Sequence, residues 1–180
     1  MNLKTAGCTF VSISRGVGFL KTRMRQMYEK RCKTPRYYAA YGSNLNLVQM
    51  ARRCPTAKVV GKGVMEGWRL RFRGRPGRGV ATIERAKNRR VPVLIFVVQP
   101  EDERSLDRYE GWPKLYRKEN VQVKMAGTSL TAFAYIMNEW RHPYEPPNST
   151  YFGTVLGGYY MNDFNVRLLM SALINNLVSE

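Results

Sequence analysis

From Trp68 to Arg73 the chain alternates: Trp68, Leu70 and Phe72 are apolar, while Arg69, Arg71 and Arg73 are charged. A period of two predicts a strand over Gly63 to Arg73, buried on one face and wet on the other. Lys58 to Val60 reads as a short strand before it. Ala81 to Glu84 and Pro92 to Gln99 read as two more, the second central because Val93 to Val98 is apolar throughout. Val121, Val123 and Met125 alternate in the next strand, and Leu130 to Met137, apolar on both faces, is the last. Upstream, Tyr37 to Tyr41 is a short aromatic and small-residue strand. Helices are predicted over Asn46 to Arg53 and over Glu101 to Tyr109, the latter preceded by Pro100 and stopped by Gly111. Tyr151 to Leu177 reads as two helices broken near Met161-Asn162-Asp163. Gly74 to Gly79 and the Pro-rich stretch His142 to Ser149 read as loops. Six or so strands and a few helices in one domain fit an α+β fold, a small mixed β-barrel-like sheet flanked by helices.

Composition narrows the class. At 180 residues, 44% hydrophobic and 24% charged, the chain has the balance of an ordinary globular domain and the length to bury a core. Its longest apolar run is six residues, far short of the roughly 18 of a membrane span. Cys8, Cys32 and Cys54 are odd in number and widely spaced, which argues against a disulfide framework and a structural zinc site. A reducing cytoplasm is the expected compartment.

The net charge is +17. Residues 1–36 carry nine Lys or Arg against the single acid Glu29, and residues 37–142 carry twenty against nine. Charge is therefore spread over the domain as well as the leader. It suits non-specific nucleic-acid binding through counterion release, or attraction of anionic substrates to a cleft. Residues 1–35 are expected to be a poorly ordered basic extension, and 36–180 the folded domain. An extension or a start upstream of Met24 or Met27 is preferred to an Arg-rich transit peptide. Pro35 marks the boundary.

Motifs for the commoner cofactor and metal chemistries are missing: there is no HExxH, no P-loop and no GxGxxG after a strand. The one histidine, His142, lies between Arg141 and Pro143 and reads as a surface residue. No metal or cofactor is expected. What stands out is Tyr41-Gly42-Ser43-Asn44-Leu45 between a strand and a helix. Such a turn gathers backbone N–H groups that can hold an anion or a carboxylate. It is equally an ordinary loop in which Asn44 or Asn46 caps the helix. Glu110 is the candidate acid/base, because Tyr109 and Trp112 on either side would desolvate it and raise its pKa. Composition alone reads it as a solvated carboxylate, although a helix C-terminus is an unfavourable place for one. Glu119 and Glu84 are fallback carboxylates, each readable as an outward strand residue.

Four segments in order carry a resemblance. They are Tyr41-Gly42-Ser43-Asn44-Leu45, Gly79-Val80-Ala81-Thr82-Ile83, Leu106-Asp107-Arg108-Tyr109-Glu110-Gly111 followed by Tyr116, and Ser149-Thr150-Tyr151. Together they resemble the γ-glutamyl cyclotransferase-like, or AIG2-like, family. The resemblance implies a small barrel-like α+β fold and a cofactor-free reaction. In that reaction the free α-amine of a γ-glutamyl amine or amide attacks its own γ-carbonyl, releasing 5-oxoproline and the attached amine. It places the acid/base at Glu110, the glutamyl cradle at Tyr41 to Leu45, and Tyr116 and Tyr151 in the pocket wall. Trp112-Pro113 after Glu110-Gly111 is a bulkier variant than many relatives carry, which leaves the leaving amine open. The alternative is a non-catalytic basic module on the same fold, binding an anionic partner such as nucleic acid through Arg69, Arg71, Arg73, Arg89 and Arg90.

Overall fold

The computed structural model describes residues 34–138 and 142–177, with side chains as far as Asn175 in the last helix. The expectation for residues 1–35 falls almost entirely outside these. Five strands close into a barrel: β1 (Arg36–Ala40), β2 (Lys58–Arg75), β3 (Arg78–Val98), β4 (Tyr116–Met125) and β5 (Thr128–Met137). Their order around it is β1-β3-β2-β4-β5. β1 runs antiparallel to β3 and closes the barrel by a parallel contact to β5, Tyr38 opposite Phe133. Among the described residues, four α-helices complete the fold: α1 (Leu47–Arg53), α2 (Pro100–Glu110), α3 (Ser149–Met161) and α4 (Val166–Leu177). A 3-10 turn, Ser43–Leu45, joins β1 to α1. None of the described helices is long and apolar enough to cross a membrane.

The strands differ from expectation in length. Lys58–Val60 and Gly63–Arg73 are parts of one strand, and Ala81–Glu84 and Pro92–Val98 parts of another, because the ladder continues through irregularities that break the hydrophobic period. Register shifts fall between Val59 and Gly61 and between Glu66 and Trp68. At the second, Trp68 pairs with Arg85 and Glu66 with Arg90, so residues 86–89 stand opposite the single Gly67. Gly67 takes φ 76°, a backbone state that side chains disfavour. Bulges of this kind bend long strands around a barrel. The expected loop over 74–79 shrinks to a tight hairpin between Arg75 and Arg78.

The arginine face of β2 is a correction. Arg71 is only 8% exposed, and Glu84, expected to point outward, is 6% exposed. Arg69 and Arg73 form ion pairs with Glu84 at 3.1 and 2.8 Å, and Arg71 approaches it at 4.0 Å. The segment 142–146 covers the group: Tyr144 bridges to Arg73, donates to Glu84 at 3.1 Å and lies under the Arg73 guanidinium. Gly79 is what lets this segment approach, since a side chain there would run into the backbone of Glu145 and Pro146. The stripe is wet only at Arg69, because tertiary contacts supply a carboxylate that the periodicity does not reveal.

The core includes an aromatic cluster in which Tyr38 meets Phe96, Phe133 and Tyr135 at ring separations of 5.3–6.3 Å. α2 is tied to the sheet beside it by buried charges. Lys118 bridges Glu103 and Asp107, Arg36 pairs with Glu103, and Tyr135 donates to Asp107 at 2.6 Å. These contacts set where the C-terminus of α2 lies, and with it Glu110.

Candidate functional site

A cavity of about 210 Å³ opens where β1, its following turn, the C-terminus of α2 and the start of α3 meet. Local sequence explains each part. β1 ends at Ala40, and the Leu45 and Asn46 N–H groups bond back to the Gly42 and Ser43 carbonyls, closing the 3-10 turn. The first N–H groups of such a turn have no acceptor within it. Asn46 caps α1 by accepting from the Gln49 N–H at 3.1 Å. Of the two asparagines left open by sequence, Asn46 is therefore the cap, and Asn44 is free to serve the cavity.

α2 begins with a reciprocal capping box between Gln99 and Asp102, with Pro100 in its first turn. It ends on Gly111 in the left-handed conformation, φ 64°. This stop makes Glu110 the last helical residue, with its carboxylate turned into the cavity.

Asn44 organises the polar side of the site. Its amide donates to Glu110 Oε1 at 3.0 Å and to the Tyr38 hydroxyl at 2.8 Å. Arg53, on the last turn of α1, donates to the Asn44 side-chain oxygen and stacks over the Tyr109 ring at 3.4 Å. Burial pushes the Glu110 carboxyl up to about 7, although Arg53 and the Asn44 hydrogen bond pull it down. Desolvation wins. A carboxyl near 7 exchanges protons readily at neutral pH, as a general acid/base must.

Tyrosines form much of the remaining wall. Burial raises Tyr38, Tyr41, Tyr116 and Tyr151 above the ordinary phenol range, so all stay neutral. Their hydroxyls are largely committed. Tyr41 donates to the Tyr135 carbonyl, Tyr116 donates to the Ala81 carbonyl at 2.8 Å, and Tyr151 accepts from the Ala81 N–H at 3.0 Å. Tyr116 and Tyr151 thus both hold the backbone of Ala81, near the start of β3, making a mainly uncharged pocket around one carboxyl.

Of the residues singled out from sequence, the structure brings Tyr41, Gly42, Ser43, Asn44, Glu110, Tyr116 and Tyr151 to this one cavity. It does not place Leu45 there. Leu45 is fully buried against α3, where Gly158 leaves room for its backbone and Cβ. Trp112, expected to desolvate Glu110, lies instead beside Lys118 and does not line the cavity. Glu119 pairs with Arg85 and Arg117, and Glu84 with the arginine group, both away from the site. Sequence reasoning missed Tyr38, Tyr135 and Arg53, whereas Tyr109, expected beside Glu110, does line the cavity. Tyr38 was legible as a neighbour of the first motif, but nothing local marks Tyr135 or Arg53. Among the described residues no three His, Cys, Asp or Glu side chains gather as a metal-ligand set.

The gamma-glutamyl cyclotransferase, AIG2-like family model matches residues 38–154. No curated protein matches the sequence significantly. Among solved structures, a gamma-glutamyl cyclotransferase is 23% identical with a TM-score of 0.70, covering 77% of this chain and 86% of its own. An uncharacterized protein from Homo sapiens is 24% identical with a TM-score of 0.69 and the same coverage. YkqA from Bacillus subtilis is 20% identical with a TM-score of 0.69, the match covering 83% of this chain and 58% of YkqA. The barrel and its helices are shared with these structures, and the family model spans both motif-bearing halves of the cavity. The chain belongs to the gamma-glutamyl cyclotransferase, AIG2-like family.

Proposed function

We propose that the protein is a γ-glutamyl cyclotransferase that converts a γ-glutamyl amine or amide to 5-oxoproline and the free amine. The observation that carries this reading is one half-buried carboxyl, Glu110, raised to about 7 and facing the Tyr41 to Asn44 turn across a tyrosine-lined pocket. The Glu110 carboxylate takes a proton from the substrate α-ammonium. The freed amine attacks the γ-carbonyl carbon, forming the ring C–N bond and placing negative charge on oxygen. Donors at the start of the Ser43–Leu45 turn face that oxygen and stabilise it. Glu110 then gives its proton to the departing nitrogen and takes the second ammonium proton from the ring nitrogen, the original amide C–N bond breaks, and the neutral lactam leaves with the free amine.

Because nucleophile and electrophile belong to one molecule, the pocket supplies orientation, proton transfer and donors for the developing oxyanion. Asn44 fixes the Glu110 carboxylate while its second amide contact holds Tyr38. The reaction draws on the chain's own groups alone, and the surroundings expected of it are cytoplasmic. The test is release of 5-oxoproline from a panel of γ-glutamyl dipeptides and γ-glutamyl amines, with Glu110→Gln as control. Product that disappears in the variant supports the reading and ranks the leaving amines. Equal product from parent and variant would remove Glu110 from the mechanism.

A further inference from the structure

Away from the cavity, β2, β3 and α4 enclose a second cleft of about 160 Å³ that shares no lining residue with the first. Four arginines line it, Arg69, Arg71, Arg89 and Arg90, with Ser171 and Asn175 on the α4 wall. Such a gathering of like charge in a concave space is unfavourable unless an anion answers it. Among the described residues the nearby carboxylates are already engaged. Glu84 is shared among Arg69, Arg71 and Arg73, and Glu66, opposite Arg90 in the ladder, pairs with Lys124 at 2.6 Å. The side chains of Arg89 and Arg90 enter no hydrogen bond or ion pair with any of the described residues.

The cleft is also built. Arg71 is 8% exposed and donates to the Asn175 carbonyl at 2.7 Å, which joins the floor of the cleft to its α4 wall. Glu84 holds Arg69 from the other side at 3.1 Å. Two arginines are therefore preset, and two exposed ones stand at the rim where residues 85–90 leave the core. Planar guanidinium forks match phosphate oxygens in pairs, and the Ser171 hydroxyl adds a neutral donor.

We infer that this cleft binds the phosphate or diphosphate group of a small molecule. A bounded space closed by α4 suits a compact anion better than a polynucleotide, which needs a continuous basic track and exposed aromatic platforms. The aromatic side chain lining the cleft, Tyr159, is fully buried, and so is nearby Trp68 to within 3%.

The experiment is calorimetric titration of the full-length protein with pyrophosphate and with inorganic phosphate at constant ionic strength. Parallel titrations use the double variant Arg89→Ser, Arg90→Ser, chosen at exposed positions, and Glu110→Gln. Saturable one-to-one binding is expected, unchanged in Glu110→Gln and weakened about tenfold or more in the double variant. Melting of the unliganded double variant at the parent temperature establishes that the loss is not unfolding. No saturation, or equal affinity in the double variant, overturns the proposal. So does tight, steeply salt-dependent binding of a single-stranded oligonucleotide without pyrophosphate binding, which would make the cleft part of a nucleic-acid surface.

Discussion

Two carboxylates withdrawn from bulk water in this barrel, the half-buried Glu110 and the buried Glu84, have opposite surroundings. Glu110 lies among tyrosines, with the Asn44 amide as its hydrogen-bond donor and Arg53 acting on it past that amide. Glu84 is enclosed by Arg69, Arg71 and Arg73 and receives the Tyr144 hydroxyl as well. Glu84 is the more buried of the two, so burial alone does not make a base. The partners decide: neutral walls leave a proton to be exchanged, whereas converging guanidinium groups commit both oxygens to holding the fold. One carboxylate faces a cavity, where the proposed reaction would use it, and the other ties β2, β3 and the 142–146 segment together.

The comparison can be broken most directly at its two centres. Glu110→Gln should lower turnover about a thousandfold or more while leaving the melting temperature at or above that of the parent. Near-normal 5-oxoproline release would end the acid/base assignment. Glu84→Gln should do the reverse, costing about 3 kcal/mol in urea unfolding because Arg71 and Arg73 lose their counter-charge in a buried place. Activity below its melting point should persist; a stable Glu84→Gln protein would show that the arginine group needs no carboxylate.

Protonation sharpens the contrast. The Glu110 carboxyl lies near 7 when folded and near an ordinary 4.3 when unfolded. Between those values the folded protein holds the extra proton, so this residue's contribution to stability falls as pH rises through that window and is level outside it. Parent minus Glu110→Gln stability should decline by roughly 1–3 kcal/mol from pH 4 to pH 7.5. Over the same range kcat/KM should climb as the carboxylate form fills. A flat profile in both measurements would mean that the pocket does not desolvate Glu110.

Asn44→Ala removes the donor that favours the charged form. The kcat/KM profile should move to higher pH and its plateau drop about tenfold, as fits the loss of one hydrogen bond to a charged group. An unshifted profile would make Asn44 a scaffold residue only. The smallest effect is expected at Tyr144→Phe, about 1 kcal/mol of stability from the lost hydrogen bond to Glu84, with turnover unchanged.

Much of this was legible along the chain. Alternation at Trp68 to Arg73 and the apolar run Val93 to Val98 marked the strands, and Pro100 and Gly111 marked α2. The two motifs contained most of the cavity's named residues because each motif is a local structure, a turn after a strand and a helix end. Less legible were the lengths of β2 and β3, since Gly61, Gly67 and the charged residues 85–90 interrupt the period without ending the ladder. Leu45 belonged to a motif, yet it serves packing: Gly158 of α3 sits directly on it.

By itself, then, the sequence determined the element types, the family and the candidate for the acid/base, because capping, alternation and turn chemistry act over a few residues. The tertiary structure alone decided that Glu110 is desolvated, that Asn44 rather than Asn46 faces it, that Tyr135 and Arg53 join the site, and that Glu84 gathers three arginines. Those outcomes depend on which surfaces a closed barrel brings together across separations of up to about a hundred residues, and electrostatics follows distance in space, not position along the chain.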